Sequence, residues 1–183
     1  NETIHWSDNT NGDPIGDIRS AKGTILGNTG LEPNTLVIGY DVLTALVDHP
    51  DIVDRVKYSG GIGNNNPANI TEQTLAQLFG LDRVMVSKAV YNSAAEDGTE
   101  SSGFIVGKDA LLCYAAPNPG LQTPSAGYTF TWSGYLGTTN DMGFATGTID
   151  MPWLKSTRVE GEMAYDQKLV SSALGFFWDG IAA

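Results

Sequence analysis

At 183 residues the chain is long enough to bury one respectable core, and its length favours a single domain. Ten basic residues against 21 acidic ones leave a net charge of −11, and the basic residues are scattered singly, which argues against a reader or tight binder of nucleic acid. The acidity reads instead as solubility and self-repulsion. The 22 glycines and 8 prolines imply many turns and short strands rather than a helix bundle.

Cys113, in Leu111-Leu112-Cys113-Tyr114, is the single cysteine. An intramolecular disulfide and a cysteine metal cluster are therefore excluded, and its apolar neighbours make it a buried thiol. No apolar run approaches the roughly 18 residues of a membrane span, so no membrane partner is expected. The chain opens at Asn1 without an initiator methionine, which reads as a fragment of a longer polypeptide.

Residues 1–12 form a polar lead-in loop. Asp13-Pro14 then starts a helix, because Asp caps free backbone N–H groups and Pro at the first helical position sacrifices no hydrogen bond. Ile15, Ile18, Ala21, Ile25 and Leu26 follow at near-helical spacing, and the helix stops near Thr29-Gly30. Gly16, Gly23 and Gly27 weaken it, so it needs something to pack on. A short apolar strand occupies Thr35–Gly39. Asp41 can cap a second helix, with Val42, Leu43, Leu46 and Val47 on its inner face. His49-Pro50 breaks it, since a residue before proline is pushed out of the helical region. Asp51–Tyr58 continues for a turn or two with Ile52, Arg55 and Val56 on one side, and Gly60–Pro67 reads as a mobile loop.

Thr71 opens a third helix through Leu75, Leu78 and Phe79, ended by Gly80. Asp82–Tyr91 alternates as a strand. Ser93–Gly103 is an exposed excursion, Phe104–Val106 and Ala110–Ala115 are short strands, and Ala116–Gly127 is an irregular loop. Tyr128, Phe130 and Trp132 mark a half-buried strand. Gly143–Met151 and Ser156–Val170 are strand-like too, the latter with Val159, Gly161, Met163 and Tyr165 facing one way. Early helices followed mostly by strands give an α+β class. We find no internal repeat and no domain-sized linker.

Convergent chemistry is scarce. His5 and His49 share no ligand spacing, and His49 reads as a helix-end residue meeting terminal carbonyls rather than a metal ligand. Gly60-Gly61-Ile62-Gly63 lacks the Gly-Lys-Ser/Thr of a phosphate loop, so a surface loop is the better reading. Asp48, Asp51 and Asp54 lie on a helical surface beside Arg55 and Lys57, and Glu160 and Glu162 alternate along a strand as a solvated face does. Asn69-Ile70-Thr71 and Asn1-Glu2-Thr3 match a glycosylation triplet short enough to arise by chance. Phe130, Trp132, Phe144, Trp153, Phe176, Phe177 and Trp178 could stack bases or sugars. Without basic partners, core or subunit-interface packing is favoured. The terminal run Gly175-Phe176-Phe177-Trp178 calls for burial against a missing segment or another subunit. No catalytic, cofactor-binding or metal residue is assigned, and no cofactor is expected.

Several strings occur together: 33–39 (PNTLVIG), 49–58 (HPDIVDRVKY), 78–84 (LFGLDRV), 89–92 (AVYN), 117–121 (PNPGL), 124–130 (PSAGYTF) and 158–165 (RVEGEMAY). In that order, from about Asp13 to about Trp178, they resemble the C-terminal part of tailed-phage and prophage major capsid proteins with the HK97-type fold. The resemblance implies one unit over 1–183: a lead-in loop at 1–12, part of the spine helix at 13–30, mainly axial domain at 31–155, and strands returning toward the peripheral region at 156–183. The arm and extended loop of that family would precede Asn1.

The resemblance also implies a structural, non-enzymatic subunit of a virion capsid, made in the bacterial host cytoplasm. Its partners would be further copies in pentamers and hexamers, with scaffold, portal or decoration proteins. The chain alone would then be a soluble monomer or weak oligomer. An encapsulin-like compartment shell is the nearest alternative. A hydrolase using Glu160 and Glu162 is a more distant one.

Overall fold

The structure, a computed structural model, describes residues 5–59, 70–96, 98–120, 122–132, 134 and 144–182, with only the backbone of Tyr58 and Ser59. The Gly60–Pro67 loop reading and both glycosylation triplets fall wholly or partly outside those residues. The chain divides into two compact units, Asn1–Ala126 with Ser171–Ala183, and Gly127–Val170. The single-unit reading of 1–183 does not describe this division. Nor does its internal boundary at 155/156, because residue 155 lies in the turn of a strand hairpin whose two sides are paired over their whole length.

In the first unit, helix α1 spans Pro14–Thr29. The Asp13 carboxylate accepts the Gly16 N–H at 2.8 Å, and Gly30 ends the helix at φ +72°, donating its N–H to Leu26 O. Strand β1 covers Thr35–Gly39, followed by α2 at Tyr40–Asp48 and α3 at Pro50–Ser59. Gly39, rather than Asp41, sits at the cap position of α2, where no side chain closes the helix; Asp41 lies inside the first turn and gives its backbone N–H to Gly107 O. His49 takes extended backbone angles between α2 and α3, as the following proline demands. Helix α4 runs Glu72–Phe79, capped by the Thr71 hydroxyl and ended by Gly80 at φ +62°.

The expected Asp82–Tyr91 strand is two strands. β2, Arg83–Ser87, pairs in parallel with β1 and stops opposite Gly39, where β1 itself turns into α2 and offers no further partner. β3, Val90–Asn92, then forms a hairpin with β4, Ser102–Phe104. β5, Ala110–Cys113, runs antiparallel to β1. Antiparallel to β5 on its other side lies β10, Gly175–Trp178, so the sheet order is β10-β5-β1-β2.

Strand alternation divides this sheet sharply. Leu36, Leu112, Val84 and Phe176 lie in register on one face, with Ile38, Ala110, Val86 and Trp178 beside them. These residues belong to the core with Ile18 and Ile25 of α1, Leu46 of α2, Ile52 of α3 and Leu75 of α4. Phe177, Leu111, Val37 and Met85 form a register row across the opposite face. Three of them are open to solvent: Phe177 at 59 %, Met85 at 49 % and Leu111 at 36 %.

The lead-in segment is not a passive loop. Trp6 is wholly buried, its ring centroid 5.3 Å from that of Trp178. The Trp6 indole N–H donates to the Asp17 carboxylate at 2.9 Å, and its backbone N–H donates to Ile181 O at 2.9 Å. Trp178 in turn packs against Phe176, ring centroids 4.7 Å apart and planes tilted by 52°. The chain's own N-terminal segment therefore covers Trp178, where the sequence called for a missing segment or a second subunit. Phe177, pointing the other way, stays uncovered.

The second unit contains β6 (Gly127–Thr131), β7 (Phe144–Met151), β8 (Ser156–Met163) and β9 (Tyr165–Leu169). β7 pairs antiparallel with β8 from Phe144↔Met163 to Met151↔Ser156, and β6 pairs antiparallel with β9. The expected Ser156–Val170 strand breaks at Ala164, between β8 and β9. Ala164 instead accepts the Trp132 N–H at 3.0 Å as the chain joins β6.

Candidate assembly surfaces

Among its described residues, the second unit has no buried side chain. Phe130, Trp132, Phe144, Trp153, Val159 and Met163 are 42–77 % exposed. Tyr128, Phe130 and Trp132 alternate as the sequence predicts, but Phe130 and Trp132 are exposed rather than half-buried. In the β7–β8 ribbon, alternation sets Phe144, Val159 and Met163 on one face, with Thr146, Thr148 and Thr157 among them. Ala145, Ile149, Arg158, Glu160 and Glu162 occupy the other. The ribbon ends in a tight turn through Pro152–Leu154, where Trp153 is 77 % and Leu154 64 % exposed. Two-stranded ribbons are marginal in water unless a further layer covers them. Among the described residues, the apolar side chains of this ribbon stay open to solvent.

The residues weighed for chemistry do not converge. Among the described residues, no group of three or more His, Cys, Asp and Glu side chains is placed to hold a metal ion. His5 donates from Nδ1 to Gly180 O at 2.9 Å, helping to tie the two ends of the first unit together. His49 is 1 % exposed, and its Nδ1 accepts the Asp51 N–H at 3.3 Å. The ring therefore caps the start of α3, where a contact with terminal carbonyls of α2 was expected; Nε2 is buried without a partner.

Asp48, Asp51 and Asp54 point to solvent. Glu160 takes an ion pair from Arg158 Nε at 2.9 Å on an open ribbon face, with Glu162 exposed two residues on. That is a solvated strand surface rather than an enclosed carboxylate pair. Cys113 is half-buried on β5; burial pushes its thiol above the ordinary 9.0, while the Arg83 charge pulls the other way. No described helix is long and apolar enough to cross a membrane.

No protein-family model matches the chain. Over 128 residues, 67 % of its length, the chain is 31 % identical to the major capsid protein of Burkholderia phage BcepMu. It resembles a phage major capsid protein. The chain spans 38 % of that relative's length. A phage-related protein of Bordetella bronchiseptica RB50, known from a crystal structure, shares the mixed helix-and-sheet fold at a TM-score of 0.75 and 26 % identity. The match covers 94 % of this chain and 52 % of that one.

For a capsid-like chain the informative residues are those that face outward without cover, and these are what sequence reasoning placed wrongly. The alternation of Tyr128, Phe130 and Trp132 reads as a half-buried strand, yet Phe130 and Trp132 are exposed. Trp6 was missed because its polar neighbours, Ser7 to Gly12, hide a single buried anchor.

Proposed function

We propose that this chain is a structural subunit of a tailed-phage capsid with the HK97-type architecture, one that assembles with further copies into capsomers enclosing the DNA genome. The observation that carries this reading is the 31 % identity to the BcepMu major capsid protein. The physical character of the molecule supports it. A shell protein needs complementary surfaces and no reacting groups, and uncovered apolar surface is what this chain has in quantity. In HK97-type terms, α1 stands for part of the spine helix, the remaining helices and the four-stranded sheet for most of the axial domain, and the ribbons for strands returning toward the peripheral region. Pentamers and hexamers of this subunit, joined by scaffold, portal or decoration proteins, would form the virion capsid after synthesis in the host cytoplasm. An acidic wall suits an enclosed genome that is not gripped, since tight contact would require clustered basic residues.

The test is electron microscopy of the complete product of the gene that encodes this chain, expressed in bacteria. Closed shells or ring-shaped capsomers are expected. A product that stays strictly monomeric under every assembly condition would refute the reading.

A further inference from the structure

Asn11 is the chain's single asparagine followed by glycine. Glycine has no Cβ to screen its backbone nitrogen, so in an open chain the Gly12 N reaches the Asn11 side-chain Cγ. A bond forms between those two atoms and the bond from Cγ to the side-chain nitrogen breaks. That nitrogen leaves as ammonia, carrying the proton lost from Gly12 N. Water then opens the cyclic imide at one of its two carbonyls. One opening restores the main chain with aspartate at position 11, and the other routes the main chain through the side chain as isoaspartate. The net change takes an amide and water to a carboxylate and ammonium, with no oxidant and no cofactor.

The folded lead-in segment disarms both partners in this reaction. Gly12 is buried and its N–H donates to Asp8 O at 2.9 Å, so the nucleophile keeps its proton. The Asn11 amide is tethered through Nδ2, which donates to Asp8 Oδ2 at 2.9 Å. The backbone N–H groups of Thr10 and Asn11 donate to Asp8 Oδ1 at 2.9 and 3.2 Å. These bonds, that of the Asn11 amide first, hold the Asp8 carboxyl below its ordinary range, so the acceptor of the tether stays charged.

The glycine cannot be exchanged within this turn. A Cβ at position 12 would lie 2.7 Å from both Asp8 O and His5 O, and 3.4 Å from the Trp6 Cα. The reactive pair is therefore built into the turn that delivers Trp6 to its burial beside Trp178.

We propose that Asn11–Gly12 is a covalent modification site gated by the docking of residues 5–12, sealed while Trp6 is seated and deamidated by water when the segment opens. Reaction through a local opening runs at the open-chain rate multiplied by the fraction of molecules open; a segment open one time in about a hundred reacts about a hundredfold slower than an unfolded chain. The reaction also weakens its own seal. The aspartate product puts a carboxylate where the Asn11 amide met Asp8, so a donor becomes an acceptor and two like charges face each other. The isoaspartate product adds a carbon to the main chain beside a glycine whose neighbours leave no room for one.

Peptide mass spectrometry of the chain, incubated at neutral pH, separates the asparagine, aspartate and isoaspartate forms of the 11–12 peptide. Deamidation of the folded chain is expected to be slower than in guanidinium chloride by about tenfold or more. Trp6→Ala should bring the rate in native buffer toward the denatured one, with circular dichroism reporting whether the rest of the first unit stays folded. Where that variant fails to fold, Asp8→Ala carries the test: it removes the tether from a segment that keeps Trp6, and should speed the reaction several-fold. Asn11→Asp installs one product directly and should speed amide exchange at the Trp6 N–H, which donates to Ile181 O.

Equal rates at Asn11 in the folded and the denatured chain would overturn the gate. So would a folded Trp6→Ala chain, or an Asp8→Ala chain, that reacts no faster than wild type. An Asn11→Asp chain whose Trp6 N–H exchanges as slowly as in wild type would refute the weakening of the seal. None of these readouts depends on assembly into shells.

Discussion

Replacing Trp6 by alanine tests whether the lead-in segment belongs to the core of the first unit. The side chain is wholly buried against Trp178 and donates its indole N–H to Asp17. Roughly 200 Å² of indole surface at about 25 cal/mol per Å² sets an upper bound near 5 kcal/mol. Buried Trp→Ala changes cost about 3–5 kcal/mol, cavity included. Asp17 is exposed and regains water when the indole leaves, so the lost hydrogen bond adds little. We expect about 3–4 kcal/mol, a large share of the 5–15 kcal/mol typical of a domain.

Urea unfolding followed by far-ultraviolet circular dichroism measures this directly. Trp6→Phe keeps ring packing on Trp178 and loses the N–H, so it should cost about 1–2 kcal/mol. Trp153→Ala, at a 77 % exposed position, should stay within about 0.5 kcal/mol of wild type. A Trp6→Ala loss below about 1 kcal/mol, or one equal to that of Trp153→Ala, would refute the reasoning and return residues 5–12 to the status of a loop.

Three further outcomes follow from local geometry. Gly39→Ala and Gly23→Ala are the same substitution with opposite expected signs. A Cβ at Gly39 collides with the backbone of Gly107 and Val106, costing about 2–3 kcal/mol, whereas at Gly23, on the exposed side of α1, it meets nothing and stabilises by up to about 1 kcal/mol; thermal unfolding reads both. Asp13→Ala removes the carboxylate that caps α1 and should cost about 1 kcal/mol, with faster amide exchange confined to the first turn, and an unchanged exchange pattern would show that the cap is idle. Burial raises the Cys113 thiol above 9.0, so the thiol is neutral in both folded and unfolded chains below that pH; its contribution to stability is full there and is lost as pH rises through the folded value. Iodoacetamide labelling of the folded chain should therefore begin at higher pH than labelling of the urea-unfolded chain, and coincident profiles would contradict it.

Much of the first unit was legible because its signals are local. Asp13 and Gly30 bracket α1, Thr71 and Gly80 bracket α4, and Pro50 forces the break at His49. Each effect is complete within a few residues of chain, so no tertiary knowledge is needed. The Asp41 cap failed for a complementary reason: the helix begins two residues earlier because Gly39 and Asp41 bond to the 107–109 segment, which is remote in sequence.

The outward-facing surfaces divide in the same way. From the chain alone, alternation determines that Val159 and Met163 share a face, and that Val37, Leu111 and Met85 lie in strands; the pairing register adds Phe144 to the first face. The aromatic terminus was likewise visible as a feature needing cover. Only the tertiary structure decides that Trp6, far away in sequence, covers Trp178 while Phe177 is left bare, and that four strands align the bare residues into one row. The physical reason is that strand periodicity encodes which side chains point together. Whether a second layer lies over them depends on pairings between distant segments, and these have no local signature.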